Sequence, residues 1–261
     1  MSSRQRFFVQ PEAVQNGSIR FSRDQARQMA AVLRLGPGST VTALDNSGWQ
    51  YEVKLDAVSG VEAVGTIRTR TLVTSEPRTK ITLYVGLIRA PKLEIVLQKC
   101  TEIGVAAFVP LVAQRCVVQP NDELSPAKVE RWQRIIAEAA EQSGRGKLPV
   151  LMPAVPFNQA CDHARGFSLM LWEGEHETPL REALERAASE RPAARRAKGP
   201  TPRPFSVNVF VGPEGGFTDE EAQRARQSGI QLVTLGPRIL RAETASVTVA
   251  AAILYAQGDL G

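Results

Sequence analysis

Two segments near the end of the chain hold residue types that can do chemistry. The first reads Val207-Asn208-Val209-Phe210-Val211-Gly212-Pro213-Glu214-Gly215-Gly216-Phe217-Thr218, an apolar run expected to be a buried strand that enters a glycine-rich loop and then a helix. Glycines have no side chain, so backbone N–H groups can approach a ligand closely and positive φ is tolerated, as loops lining cofactor sites at the carboxyl ends of strands require. Thr218 and Glu221 have capping-box spacing, which fixes the start of the helix and with it the shape of the loop. The same segment also fits a plain strand-to-helix turn. No Lys-Ser/Thr pair follows the glycines, which argues against a phosphate-binding P-loop. No G-x-G-x-x-G follows the first strand of this region either, so the usual dinucleotide or class I methyltransferase fingerprint is missing.

The second segment, Leu235-Gly236-Pro237-Arg238-Ile239-Leu240-Arg241-Ala242-Glu243-Thr244-Ala245, repeats the strand, glycine turn and helix order, and gathers two arginines and a glutamate. A third strand, Leu169 to Trp172, ends in Glu173-Gly174-Glu175, carboxylates suited to ribose hydroxyls or a sulfonium.

These loops need elements to hold them. From Ile81 the chain alternates apolar strands (Ile81–Leu87, Ala107–Val112, Val150–Met152, Phe167–Trp172, Val207–Val211, Gln231–Leu235) with helices, among them Pro91–Ile103 and one starting at Ser125 with Val129, Trp132, Ile136 and Ala140 on one face. That pattern predicts a parallel sheet covered on both faces. Ala245 to Ala256 carries small apolar residues on nearly every side and is expected to be buried all round, by a second subunit or within the chain. Before residue 75 the grammar differs. Short apolar runs (Arg6–Val9, Ser18–Phe21, Thr40–Leu44, Tyr51–Val58, Ala63–Thr69) are separated by Asn16-Gly17, Gly36-Pro37-Gly38 and Asp45-Asn46-Ser47-Gly48, with one amphipathic helix from Arg23 to Leu35. This predicts a small β-barrel with one helix and a domain boundary near residue 75. Residues 190–204 are too rich in Pro, Arg, Ala and Gly to pack and are expected to be a flexible insertion.

Composition narrows the function classes. The 261 residues are 43% hydrophobic and 23% charged, ordinary for a folded chain. The longest apolar stretch, about twelve residues, is too short to span a bilayer, and Met1 to Gln10 has no apolar core for a secretory signal. A cytoplasmic location is expected. Cys100, Cys116 and Cys161 form no C-x-x-C pair, and His163 and His176 lack a second ligand at metal spacing, so neither a disulfide framework nor a metal site is expected. The net charge of +5 suggests a polyanionic partner. The excess sits in residues 1–72, nine basic against six acidic side chains, and in the insertion, rather than in the body of the second domain.

Taken together, Arg6-Phe7-Phe8, Lys92–Pro110 (KLEIVLQKCTEIGVAAFVP), Glu138–Arg145 (EAAEQSGR), Phe210–Glu221 and Leu235–Ala245 resemble the RsmE-type 16S ribosomal RNA uracil-N3 methyltransferases of the SPOUT superfamily, over essentially the whole chain. The resemblance implies a PUA-like β-barrel for RNA over residues 1–74 and, over residues 75–261, a SPOUT α/β trefoil-knot domain that binds S-adenosylmethionine and works as a homodimer. General topology rules would reject a knot; the resemblance alone implies it. It also implies that Leu171, Trp172, Glu173, Val211, Gly212, Pro213, Glu214, Gly215, Gly216, Leu235, Gly236, Ile239, Leu240, Arg241, Thr244 and Ala245 hold the cofactor. The insertion departs from the family pattern without touching these motifs.

Uracil N3 carries an imide proton that must leave, spreading negative charge over two carbonyl oxygens. Glu243 is the candidate base and Arg241, before Arg238, the candidate cation. Alternatively Glu243 caps its helix and Arg241 pairs with it. The base must be unstacked into the pocket, with phosphates held by basic side chains. Candidates are Arg4, Arg6, Arg20 and Arg23 in the first domain and Lys92, Lys99, Arg115 and Arg145 in the second. A non-catalytic RNA-binding or ribosome-assembly protein is the competing function, against which the glycine loops speak.

Overall fold

The structure is a computed structural model that describes residues 5–118, 124–189 and 205–260. Arg4 and the insertion 190–204 lie outside the described residues. The chain divides into two compact units, one of Met1–Glu76 with Ala137–Leu148 and one of Pro77–Ile136 with Pro149–Gly261. Sequence patterning placed 137–148 in the second domain.

The first unit is built on a six-stranded sheet. In chain order its strands are β1 (Arg6–Phe8), β2 (Val14–Gln15), β3 (Ser18–Arg20), β4 (Thr40–Leu44), β5 (Trp49–Val58) and β6 (Ala63–Leu72). Across the sheet they run β1-β4-β5-β6-β3-β2. Only the β1–β4 pair is parallel. Alternation turns Tyr51, Val53 and Leu55 inward with Phe7, Ile19, Val41 and Met29. Asn16 and Gly17, φ 50° and 76°, make the two-residue turn that joins β2 to β3. Helix α1 (Arg23–Arg27) starts in a complete Ser22–Gln25 capping box and runs into a π-helical turn, Gln28–Val32. It stops short of Leu35, because Arg34 takes φ 53° and Gly36-Pro37 follows. A buried polar clamp secures the unit. Arg145 donates from Nε and Nη2 to the two carboxylate oxygens of Glu76 at 2.9 and 3.0 Å, and the N–H groups of Gly146 and Lys147 add bonds of 2.9 and 3.2 Å. Burial alone would raise the Glu76 carboxyl; the Arg145 bonds and charge, with those N–H groups, hold it below its ordinary value.

The second unit is a parallel sheet with helices on both faces. Its strands are β7 (Lys80–Gly86), β8 (Ala107–Val112), β9 (Val150–Leu151), β10 (Val155–Pro156), β11 (Ser168–Leu171), β12 (Ser206–Val211) and β13 (Gln231–Val233). Spatial order is β10-β8-β7-β12-β11-β13, with β9 also on β8. The helices are α2 (Ala90–Ile103), α3 (Pro126–Gln142, which crosses into the first unit's segment), α4 (Phe157–His163), α5 (Leu180–Ser189), α6 (Asp219–Gln227) and α7 (Ala242–Ala256). The central strands feed two cores by alternation. Leu83, Val85, Val209 and Val211 meet α2, α5 and α7, whereas Tyr84, Phe210 and Met170 meet α4 and α6. Tyr84 stacks on Phe210 at 4.3 Å. Within the single chain α7 is buried on one side only. Val249, Ala250, Ile253 and Leu254 are buried, but Thr244, Thr248 and Tyr255 form an exposed stripe, Tyr255 at 73%. No helix among the described residues is long and apolar enough to cross a membrane.

Candidate functional site at the carboxyl edge of the parallel sheet

Because β7, β11, β12 and β13 are mutually parallel neighbours, the loops that leave them emerge at one edge. Three of these loops enclose a cavity of about 580 Å³, within the range of small-molecule sites.

The loop after β11 turns at once, with Glu175 N–H donating to the Trp172 carbonyl at 3.1 Å. The buried Glu175 carboxylate accepts from the N–H groups of Glu177 and Thr178 at 2.9 and 3.1 Å and from Arg226 Nη2 at 3.2 Å. The same guanidinium lies over the Trp172 ring, 5.6 Å from its centroid. Burial works to raise the Glu175 carboxyl, and these donors outweigh it. Trp172 is thereby held at the cavity wall.

The loop after β12 is tightened by a Gly216 N–H to Pro213 carbonyl bond of 2.9 Å, with Gly216 at φ 69°. The capping box is complete: Thr218 Oγ1 accepts from Glu221 N at 3.2 Å and Glu221 Oε2 from Thr218 N at 3.0 Å. A residue outside the sequence assignment matters here. A Cβ on Gly86, the last residue of β7, would lie 2.6 Å from Pro213 Cδ and 2.9 Å from the Gly212 carbonyl carbon, so only glycine lets this loop pass. Its sole sequence signal is a glycine inside the predicted strand Ile81–Leu87.

The loop after β13 is zipped to residues 178–180, with Thr234 N–H on the Thr178 carbonyl at 2.9 Å and Leu180 N–H on the Thr234 carbonyl at 3.0 Å. Gly236, φ 106°, turns it into the first residues of α7. Arg241 is the N-cap residue and makes no side-chain cap bond. Glu243 follows in the first turn, and its Oε2 is buried without a hydrogen-bond partner. Neither the capping nor the pairing alternative for these two residues is realised among the described contacts.

Of the residues assigned to the cofactor, Leu171, Trp172, Glu173, Val211, Gly212, Pro213, Glu214, Gly216, Leu235, Gly236, Ile239, Leu240, Arg241 and Ala245 line the cavity. Gly215 packs against Arg115 instead, and Thr244 faces away on the exposed side of α7. Glu243 and Arg238 line it too, as do Lys92, His176 and Phe217, which were not assigned to it. Lys92 pairs with Glu214 at 3.3 Å.

The basic residues assigned to RNA fare unevenly. Arg145 is a correction: with 5% of its side chain exposed and bound to Glu76, it stabilises the first unit and offers no phosphate a surface. Arg6 is half-buried, with Nη2 on Gln50 Oε1 at 3.3 Å and the Arg145 carbonyl at 3.4 Å. Arg20 is exposed and pairs with Glu62, Lys99 with Glu102 at 2.9 Å, and Arg23 stands exposed at the start of α1. Arg115 binds backbone carbonyls beside the cavity.

Comparison with known proteins agrees with this geometry. The model of the RNA methyltransferase domain family matches residues 74–254. Relatives named ribosomal RNA small subunit methyltransferase E include that of Synechocystis, 32% identical over 95% of this chain and 76% of its own length. The one from Bacillus subtilis is 29% identical over 96% of both chains. Among solved structures, a Legionella pneumophila methyltransferase with bound cofactor SAM is 29% identical with a TM-score of 0.83, covering 97% of this chain and 98% of its own. Ribosomal RNA small subunit methyltransferase E of Neisseria gonorrhoeae, bound to S-adenosyl methionine, is 28% identical with a TM-score of 0.80 over 97% of both. The chain belongs to the RNA methyltransferase family, in the branch of the ribosomal RNA small subunit methyltransferase E proteins.

Proposed function

We propose that this protein transfers the methyl group of S-adenosylmethionine to N3 of a specific uridine in 16S ribosomal RNA of the small ribosomal subunit. The observation that carries the reading is the convergence of the three loops, with the Glu243 carboxylate unpaired and Arg241 free of any cap bond, on one cavity in a chain of this family. The residues fit such a donor. Backbone-rich walls at Gly212 and Gly216 admit a nucleoside, and Trp172 and Leu240 offer apolar surface to its base. Glu173 and Glu214 offer carboxylates to hydroxyls or to positive charge.

The donor supplies a methyl carbon activated by a sulfonium, which departs as a neutral thioether. The chain's own work concerns the proton and the charge. Glu243 receives the N3 proton, the freed N3 lone pair forms the new bond to carbon, and the Arg241 guanidinium offsets the negative charge spread over the uracil carbonyl oxygens. Exposed basic side chains, Arg23 among them, hold phosphates so that the unstacked base reaches the cavity.

The same reading makes residues 1–74 a PUA-like barrel for RNA and residues 75–261 a SPOUT trefoil-knot domain, with the basic insertion 190–204 adding RNA affinity. It also makes the exposed stripe of α7 the face on which a second copy packs, and the cytoplasm the site of action. The test is to incubate the protein with labelled S-adenosylmethionine and small subunits lacking the modification, then map the labelled base. Label at uracil N3 of one nucleotide is expected; no transfer to the subunit or its RNA would refute the assignment. Sedimentation of Tyr255→Arg against the unaltered protein tests the dimer.

A further inference from the structure

One cation touches two of the three loops. Arg115 lies in the segment after β8, and its Nη1 donates to the carbonyls of Gly215 at 3.1 Å and Phe217 at 3.4 Å. The same nitrogen lies 4.0 Å from Oε1 of Glu173, on the loop after β11. The base of this side chain is itself fixed, because the N–H of the preceding Gln114 donates at 2.8 Å to Glu221, the carboxylate of the α6 capping box.

The paired glycines have their explanation here. A Cβ on Gly215 would lie 2.8 Å from Arg115 Cβ and 3.0 Å from its carbonyl oxygen, and a Cβ on Gly216 would lie 3.2 Å from Glu173 Oε1. Gly215 does not line the cavity, so it is the approach of Arg115 that requires glycine there. The loop is gripped between Arg115, outside the cavity, and Glu173 on the cavity wall. Its carbonyls are turned toward the guanidinium, and the Glu173 carboxylate is drawn toward the same charge.

We propose that Arg115 is a positioning residue for the methyl donor, a clasp that holds the glycine loop and Glu173 in the arrangement that admits the donor, and not a contact to RNA phosphate. The proposal rests on the reading that the cavity binds S-adenosylmethionine. A clasp of two charge-assisted bonds at a half-exposed side chain should be worth about tenfold in donor affinity. Calorimetry on Arg115→Ala should therefore give a donor Kd about tenfold above that of the unaltered protein. Its KM for donor should rise in step, kcat at saturating donor should fall less than twofold, and RNA affinity should hold within twofold. Arg115→Lys keeps the charge but loses the planar guanidinium whose Nη1 reaches both carbonyls and Glu173, and should fall between the two. In a cycle with Glu173→Gln the double variant should lose less than the sum of the two single losses, because the Arg115–Glu173 contact is opened by either. If the unaltered protein fails to bind the donor, the functional reading fails. If it binds and Arg115→Ala and Arg115→Lys bind equally well, the clasp is refuted. Loss of RNA affinity with donor Kd unchanged would overturn it in favour of a phosphate contact.

Discussion

Replacing Gly86 by alanine adds a single methyl group at the end of β7, yet it should empty the cavity of its donor. The new carbon would stand 2.6 Å from Pro213 Cδ and 2.9 Å from the Gly212 carbonyl carbon, and would also meet the Pro213 nitrogen. Carbon contacts are comfortable from about 3.5 Å, so a gap of roughly 1 Å must open. The strands cannot supply it, because β7 and β12 are in register up to Val85 and Val211, immediately before the collision. The glycine loop must therefore move outward. Overpacking of this kind costs about 1–3 kcal/mol, a fall of roughly 3–10 °C in Tm for a chain of this size. A donor that needs the loop in its original place must restore it against that same cost, which weakens binding by up to roughly a hundredfold. Calorimetric titration of Gly86→Ala with S-adenosylmethionine should show that loss, while scanning calorimetry shows a folded protein. Gly36→Ala, where a Cβ would meet nothing within 4 Å, should match the unaltered protein in both. Donor binding by Gly86→Ala within twofold of the unaltered protein would mean that the loop after β12 is not the donor's seat.

Three further outcomes are expected. Arg145→Ala strands the Glu76 carboxylate in a buried setting and should cost about 3 kcal/mol by denaturant unfolding. Burial raises the Glu141 carboxyl from 4.5 to about 7, despite the Phe8 N–H that it accepts at 2.9 Å. Its folded pKa lies above the unfolded one, so the stability it lends is complete below pH 4.5 and disappears as pH rises through about 7. After discount for partial exposure the loss is about 2 kcal/mol, and a stability profile of Glu141→Gln should be flatter across that window. Glu243→Gln and Arg241→Ala, assayed in single turnovers at saturating donor and RNA, should each lower the rate by about a hundredfold or more. Donor Kd should change far less in Glu243→Gln, and full rates in both variants would remove these residues from the chemistry.

What the sequence made legible was whatever repeats locally. The apolar runs at Ile81, Val207 and Gln231 are strands within one or two residues, and the Thr218–Glu221 spacing is a real capping box. Two-residue strands such as β2 and β10 and the seven-residue α4 are too short to show a period. Contacts between distant positions left no local trace. Nothing in the sequence around Gly86 announces Pro213, and nothing around Arg145 announces Glu76.

The arginines show where the boundary lies. Residue type supplies a charge, and the partner decides its use. Arg145, read as a surface cation, is consumed by Glu76, and Arg115 is consumed by two carbonyls. Arg241 differs. It is the N-cap of α7, with extended backbone, and makes no pair with Glu243 two residues on in the first turn. The carboxylate reaches the cavity wall with a buried, unbonded oxygen while the guanidinium stays exposed at the rim. A carboxylate and a guanidinium that do not pair with each other stay available to a ligand in the cavity, which is what the roles proposed for Glu243 and Arg241 require.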